Sequence, residues 1–311
     1  MQQHGHAPQG EIDAAIVGAG PAGASCALWL ARLGLRPLLL EAGHAPGGLE
    51  RDNPYPDQWI AVLPGVTGMQ VAANIGQSLR EAGVPMRLRQ QVVSARRHGQ
   101  GFVLELADAA GGGPWRLPAP RLVIASGVRP RGLGPGGCCE PAPGVLYGPG
   151  SHIAAQDYAG LSVAVLGGGD NGFENYGYVR GRGARQVHLY ARSVRAQRQW
   201  VARADGRDVF LGPYEVDVRA RTVNGRPYDL ILVFHGWAPQ AGFADPLGLV
   251  RDARGFILTD AASARASVPG VYAIGEAAQR MHPCVVTALA DGVVAAKAIQ
   301  AEVESARLAD G

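Results

Sequence analysis

Short apolar runs recur along this chain, each closed by a cluster of glycines. Ile12 to Val17 reads as a buried strand, Gly18 to Gly23 as a turn, and Ala24 to Leu33 as a helix ended by Gly34. Pro37 to Leu40 is a second buried strand, ending in Glu41. Together these form a β-turn-α-β unit. Gly43 to Gly68 is rich in Gly and Pro and reads as loop. Met69 to Ala82 patterns as an amphipathic helix, and residues 91–95, 101–107 and 115–117 as a small antiparallel insert. Leu122 to Ala125 is another buried strand, followed by Ser126-Gly127. Gly132 to Gly150 is Gly/Pro-rich, and a domain crossover is placed there.

The pattern then restarts. Leu161 to Leu166 is a strand, Gly167 to Gly172 a turn, Phe173 to Arg180 the start of a helix, and Gln186 to Tyr190 the next strand. Leu230 to Phe234 is expected to return toward the first domain. Val271 to Ile274 is one more strand, before Gly275-Glu276, and a last helix runs from about Val286 to Arg307. The expected fold is α/β, with two Rossmann-like dinucleotide-binding domains. The first is discontinuous, 1–122 and 241–311, and the second, 123–240, is inserted in it.

Length agrees with two domains, because 311 residues exceed the usual single-core size. Glycine, at 45 residues, is about twice its usual share of roughly 7% and has no G-x-y period. The net charge of +3, spread along the chain, does not indicate a nucleic-acid surface. Ala14 to Ala31 carries no charge, but Gly18, Gly20, Pro21 and Gly23 break it, so it is not read as membrane-spanning. The first residues lack the basic start and apolar stretch of a secretory signal, and the cysteines make no disulfide framework. A cytoplasmic protein is therefore expected.

Gly18, Gly20 and Gly23 fit G-x-G-x-x-G, with Pro21 and Ala22 inside it. The first glycine allows the turn, the second admits a pyrophosphate, and the third lets helix pack on strand. The helix N-terminus offers free N–H groups to the phosphates. Glu41, with Ala42 after it, stands where a carboxylate accepts from a ribose diol. Gly167, Gly169 and Gly172 repeat the motif, with Asp170 and Asn171 between the last two. The following strand ends in Arg192, with Arg195 and Arg198 beyond, and has no acid for a diol. Arginine there suits a 2′-phosphate, so NADPH is preferred to NADH. The alternative is a site without its ligand, its arginines a solvated face. Two dinucleotide sites in one chain imply flavin plus nicotinamide.

The order GAGPAG, LLLEAG, GG, VLPGVTG, VIASG, LGGGDNGFE, VPGVYAIGE and TALADG resembles the thioredoxin-reductase-like flavoproteins, from about Asp13 to Ile299. The resemblance implies FAD at the first site, NADPH at the second, and a homodimer. It places Gly48, Leu49, Asn53, Val93 and Gly127 on the flavin side. It gives Gly275-Glu276 the role of the family's Gly-Asp, whose carboxylate bonds the flavin ribityl chain. It sets Cys284 and Val285 where the last helix meets the flavin ring, and a helix N-terminus there favours negative charge.

The departures carry as much weight. Tyr147 to Asp157, where the family keeps its redox C-x-x-C, has no cysteine. Tyr190 and Ala191 replace the first residues of the family's basic motif. Cys138 and Cys139 are neighbours, with Cα atoms about 3.8 Å apart, too close for an unstrained disulfide. They are either loop thiols or a regulatory or intermolecular pair. Cys26 reads as packing, and Cys284 as a candidate thiol for flavin chemistry. His152 reads as a surface-loop histidine or a candidate proton donor, His235 is given no role, and no metal-ligand spacing occurs. No catalytic residue is assigned.

The function expected is an FAD-dependent oxidoreductase. It would pass electrons from NADPH through flavin to an external acceptor such as ferredoxin, flavodoxin or a thioredoxin-like protein. Two alternatives stay open: an FAD-binding sensor or partner subunit without NADPH turnover, and an atypical thioredoxin reductase fed by ferredoxin.

Overall fold

The structure is a computed structural model that describes residues 11–108, 111 and 113–309. Its first half begins with strand β1 (Ala14–Val17), helix α1 (Pro21–Arg32) and strand β2 (Pro37–Leu40). Helix α2 (Gly68–Glu81) follows, then β3 (Met86–Arg87), β4 (Gln90–His98), β5 (Gly101–Asp108), β6 (Trp115–Ala119) and β7 (Leu122–Ile124). A connecting strand, β8 (Val128–Pro130), leads to β9 (Val145–Tyr147), the short α3 (Ser151–Ala154), β10 (Ser162–Leu166), α4 (Asp170–Gly181) and β11 (Gln186–Ala191). Then come α5 (Arg198–Val201), β12 (Val209–Leu211), β13 (Val216–Asp217), β14 (Thr222–Val223), β15 (Arg226–Pro227) and β16 (Leu230–Val233). A second connector, β17 (Trp237–Pro239), precedes β18 (Val271–Ala273) and the long helix α6 (Val285–Ala309).

The chain divides into two compact units, one up to Val128 and from Pro239 on, the other Arg129–Ala238. The connectors β8 and β17 pair with each other. The expected boundaries at 122/123 and 240/241 shift by a few residues. The physical reason is that β7 pairs in parallel with β1 and β18, so the first unit's sheet needs it before the chain can leave.

In the first unit the main sheet runs β18-β7-β1-β2-β3, all parallel. Every residue of β1 and β2 is buried, as a parallel strand covered on both faces requires. The first helix starts with Pro21 at a position that needs no N–H. Its small residues allow close packing: a Cβ on Gly292 of α6 would lie 2.5 Å from Ala22 O and 2.6 Å from Cys26 N. Ser25 Oγ donates to Leu289 O at 2.7 Å across the same contact. Glu302 fastens the far end of α6, accepting from Arg121 Nε at 2.6 Å and Tyr272 Oη at 2.7 Å. Helix α2 opens on a capping box in which Thr67 Oγ1 accepts from Gln70 N and Gln70 Oε1 from Thr67 N. The insert β4-β5-β6 is antiparallel, as its alternation predicts.

In the second unit the sheet order is β12-β11-β10-β16-β9, again all parallel. The strand at Leu230, expected to return to the first domain, instead lies between β10 and β9. It is apolar on both faces because helices cover one side and the small sheet β13-β14-β15 lies against the other apolar cluster. The short strands β9 and β12 to β15 have no counterpart in the sequence reading. The uncharged run Ala14 to Ala31 is β1, its turn and α1, and among the described residues no helix is long and apolar enough to cross a membrane.

Candidate functional site

The glycine loop after β1 shows which glycines the fold itself demands. Gly18 has φ +104, and a Cβ there would sit 2.4 Å from Ala125 O. A Cβ on Gly23 would sit 1.9 Å from Gly18 O. Gly20 is different: its nearest neighbour would be Gly48 Cα at 3.7 Å, ordinary contact, so the protein leaves room beside it. That gap lies at the N-terminus of α1, whose first N–H groups have no partner in the helix. A pyrophosphate is the group such a cradle accepts. Pro21 and Ala22 form the first turn of α1.

Glu41 is held in place from two sides. Its Oε2 accepts the Ala19 N–H at 2.8 Å and its Oε1 the Gly43 N–H at 2.7 Å. Each oxygen keeps a second lone pair, which suits a vicinal diol. Ala42 beside it is exposed. Gly48 packs against Gly20, with φ +58, and Leu49 is exposed on the turn Gly48–Asp52. Gly127 has φ +66, and a Cβ there would meet nothing within 4 Å. Val93 sits exposed at the bulge of β4. Asn53 donates from Nδ2 to Glu50 Oε2 at 3.0 Å.

The other side of this unit's site is the turn Gly275–Ala277 and the start of α6. A small cleft there is lined by Glu276, Arg280, Cys284 and Thr287 among others. The Glu276 carboxylate has no hydrogen-bond partner among the described residues. Burial pushes its pKa up, and the negative charge of Glu50 adds to the rise. Burial likewise raises Glu50, against the pull of Asn53. Cys284 precedes α6, with Sγ 3.4 Å from Thr287 Oγ1. The Ala288 N–H bonds Cys284 O, so the N–H groups before it, from Val285 on, lack an intrahelical acceptor. The Val285 side chain is buried with Ile60 and Val71.

Sequence reading missed the device that holds this turn. Asp291 Oδ2 accepts the Gly275 N–H at 3.0 Å, and Asp291 Oδ1 accepts from Arg280 Nη1 at 2.9 Å. Both lie far from any glycine motif, and the one signal was the acid in TALADG. Cys26 is fully buried in the α1 packing, where desolvation pushes its thiol pKa up to about 12.

The second unit repeats the cradle. A Cβ on Gly167, φ +145, would meet Phe234 O at 2.4 Å, and one on Gly172 would meet Gly167 O at 2.1 Å. One on Gly169 would meet nothing within 4 Å. Gly168, which the motif leaves unspecified, is also obligatory, because a Cβ would meet Ser193 O at 1.9 Å. The segment after β11 closes onto this loop: the Arg195 and Ala196 N–H groups bond Gly168 O at 2.7 and 3.0 Å. Asp170, a sequence-predicted cofactor residue, accepts from Gln197 N at 2.7 Å and Gln197 Nε2 at 2.9 Å and so latches that segment to the glycine loop. Asn171 O accepts from Asn175 Nδ2 inside α4. Tyr190 and Ala191 are buried, whereas Arg192, Arg195 and Arg198 are exposed. His152 is exposed on α3. His235 is paired with Tyr214.

All four cysteines are free. The Cys138 thiol points to Glu140 Oε1 at 3.6 Å and the Cys139 thiol to Pro130 O at 3.4 Å. Among the described residues no cluster of His, Cys, Asp and Glu could hold a metal ion.

The sequence model for pyridine nucleotide-disulphide oxidoreductases matches residues 12–292. The chain belongs to that family. It is 26% identical to the thioredoxin reductase of Streptomyces coelicolor, over 95% of this chain and 94% of that protein. It is 27% identical to a ferredoxin–NADP reductase of Acidovorax sp. (strain JS42), over 85% of this chain and 81% of that protein. The crystal structure of Lactococcus lactis thioredoxin reductase in its FR conformation has the same fold, with a TM-score of 0.75 at 24% identity, covering 93% and 98% of the two chains. This pyridine nucleotide-disulphide oxidoreductase is thus an FAD-dependent NAD(P)H oxidoreductase. Its residues fit those cofactors, since each glycine loop leaves open the one position that a pyrophosphate needs.

Proposed function

We propose that this oxidoreductase passes electrons from NADPH through FAD to a separate redox protein, with no dithiol of its own in the path. The observation that carries the reading is the state of the cysteines. All four are unpaired, the only adjacent pair directs its thiols to different partners, and Tyr147 to Asp157 holds none. A chain that hands electrons to a disulfide needs two thiols placed to cycle, and no such pair is available.

In this reading the unit that contains β1 and α6 holds FAD, through Gly18, Gly20, Gly23 and Glu41 on the adenosine side. Glu276 accepts from the ribityl hydroxyls, and the N–H groups at the start of α6, from Val285 on, face the ring. The inserted unit holds the nicotinamide nucleotide, through Gly167, Gly169, Gly172 and Arg192. Bound there, FAD would supply hydride acceptance from the nicotinamide and release of electrons to an acceptor. Ferredoxin or flavodoxin is the acceptor class favoured, because such carriers need no thiol on their reductase.

The test replaces all four cysteines by serine. NADPH-dependent reduction of ferredoxin should persist, and thioredoxin should not be reduced by either form. Thioredoxin reduction that disappears in the variant would refute the reading.

A second reading is favoured by the burial of Tyr190 and Ala191, which removes part of the family's basic motif. Here the chain binds FAD as a sensor or partner subunit and turns over NADPH slowly. Rapid mixing with NADPH separates the two.

A further inference from the structure

We infer that Tyr214 and His235 belong to the nucleotide site of the inserted unit and, with Arg192, form its subsite for a ribose 2′-phosphate. The inference rests on the proposed NADPH reading and extends it to two residues that no motif marks.

Geometry places them. The strands of this sheet are parallel, so their carboxyl ends share one edge, and ligands of such sheets bind there. Gly167 follows β10 and Arg192 follows β11. Gly212, just after β12, bonds through its N–H to Ala191 O at 3.0 Å, so Tyr214 leaves the sheet beside the end of β11. His235 follows β16, and Gly167 lies against Phe234, the residue before it. The hydroxyl of Tyr214 and Nε2 of His235 then meet at 2.7 Å, joining two loops of this edge.

Side-chain alternation puts the partners on one face. Leu189 and Ala191 pack in the cluster with Phe173 and Tyr176 of α4. Tyr190 points the other way, into the cluster that Tyr214 packs against, with its ring 6.0 Å from that of Tyr214. Arg192 comes next in the alternation, and its charge acts on both Tyr214 and His235.

The chemistry fits a phosphate. Gly132 accepts from the His235 ring, which leaves Nε2 to take the Tyr214 O–H. An arriving phosphate dianion favours the protonated imidazole, whose Nε2–H donates to Tyr214 Oη and releases the Tyr214 O–H to the phosphate, beside a guanidinium that supplies the charge. A ribose diol, which carries no charge, gains little from this arrangement. The subsite therefore discriminates, and the loss of basic side chains at Tyr190 and Ala191 is offset by donors from outside the strand.

The experiment is calorimetric titration of the FAD-loaded protein with adenosine 2′,5′-bisphosphate and with 5′-AMP. Four proteins are compared: the native sequence, Tyr214→Phe, His235→Ile and Arg192→Ala. Tyr214→Phe should weaken the bisphosphate by about tenfold and 5′-AMP by less than about twofold, as loss of a hydrogen bond to a charged group implies. His235→Ile, which removes the donor that frees the Tyr214 O–H, should act in the same direction, and His235→Gln, whose amide N–H can donate to Tyr214 Oη, should restore part of the loss. If both ligands weaken equally in Tyr214→Phe, the residue is only structural and the inference fails. If Arg192→Ala abolishes the preference and neither Tyr214 nor His235 matters, the subsite is Arg192 alone and the inference again fails. If the native protein shows no preference for the bisphosphate, the NADPH reading itself fails, and this inference with it.

Discussion

Arg280 and Asp291 form an ion pair at 2.9 Å in which the two side chains keep only 8% and 4% of their surface exposed. The same carboxylate takes the Gly275 N–H, so α6 and the turn that carries Glu276 are fixed to one another. Burial pushes the Asp291 pKa up, and the Gly275 N–H and Arg280 only partly offset it. The pair is therefore costly to form and more costly to break. Asp291→Asn keeps an oxygen for Gly275 but leaves Arg280 buried without its counter-ion. It should lower the unfolding free energy by about 3–5 kcal/mol, read by urea denaturation. It should also release FAD more readily, read by the recovery of flavin fluorescence.

The glycines of the first loop divide into two kinds, and alanine substitution separates them. Gly23→Ala places a methyl 1.9 Å from Gly18 O and should cost about 2 kcal/mol or more of stability. Gly20→Ala meets nothing closer than 3.7 Å, and Gly20 has φ −68, which alanine adopts freely. Its apo-protein should unfold within about 0.5 kcal/mol of the native sequence. Its FAD affinity should nevertheless fall, because the methyl enters the space left for the pyrophosphate. Equal FAD binding by Gly20→Ala and the native sequence would remove the cradle from that position.

How much was legible in advance follows from which interactions are local. The turn Gly18 to Gly23 and the strand before it are set by neighbours in sequence, and the helix over residues 69–82 by its periodicity, so both stand where the pattern puts them. The pairing of β16 is not local. Its apolar run fits either sheet, and its place between β10 and β9 depends on β9, three residues inside a Gly/Pro-rich stretch. The role of Asp291, legible only as the acid in TALADG, was missed for a similar reason, because an acid on a helix reads as solvent-facing until the fold brings Arg280 and Gly275 to it. Gly168 shows the limit of a motif, since its clash comes from Ser193, on a segment beyond the next strand.

Asp13 gives a pH test of the first strand's anchorage. Burial raises its pKa, but the side chain and backbone N–H of Arg36 outweigh this, and the carboxyl is held below its ordinary value. The folded pKa is thus below the unfolded one. Its contribution is present at neutral pH and is lost as pH falls below about 4, through the folded pKa. Asp13→Asn should be less stable than the native sequence near neutrality, and the gap should close in acid. A gap that is constant with pH would mean that the charge on Asp13 does not matter.

In the proposed path NADPH delivers electrons to FAD without any thiol of this chain. It is tested most directly by anaerobic rapid mixing of the FAD-loaded protein with NADPH, following the visible flavin absorbance. The native sequence and the form with all four cysteines replaced by serine should bleach at nearly the same rate. For both, half-saturation by NADPH should lie about tenfold or more below that by NADH, the size expected for a guanidinium–phosphate contact. Failure of NADPH to bleach the native protein, or bleaching that requires the cysteines, would contradict the account.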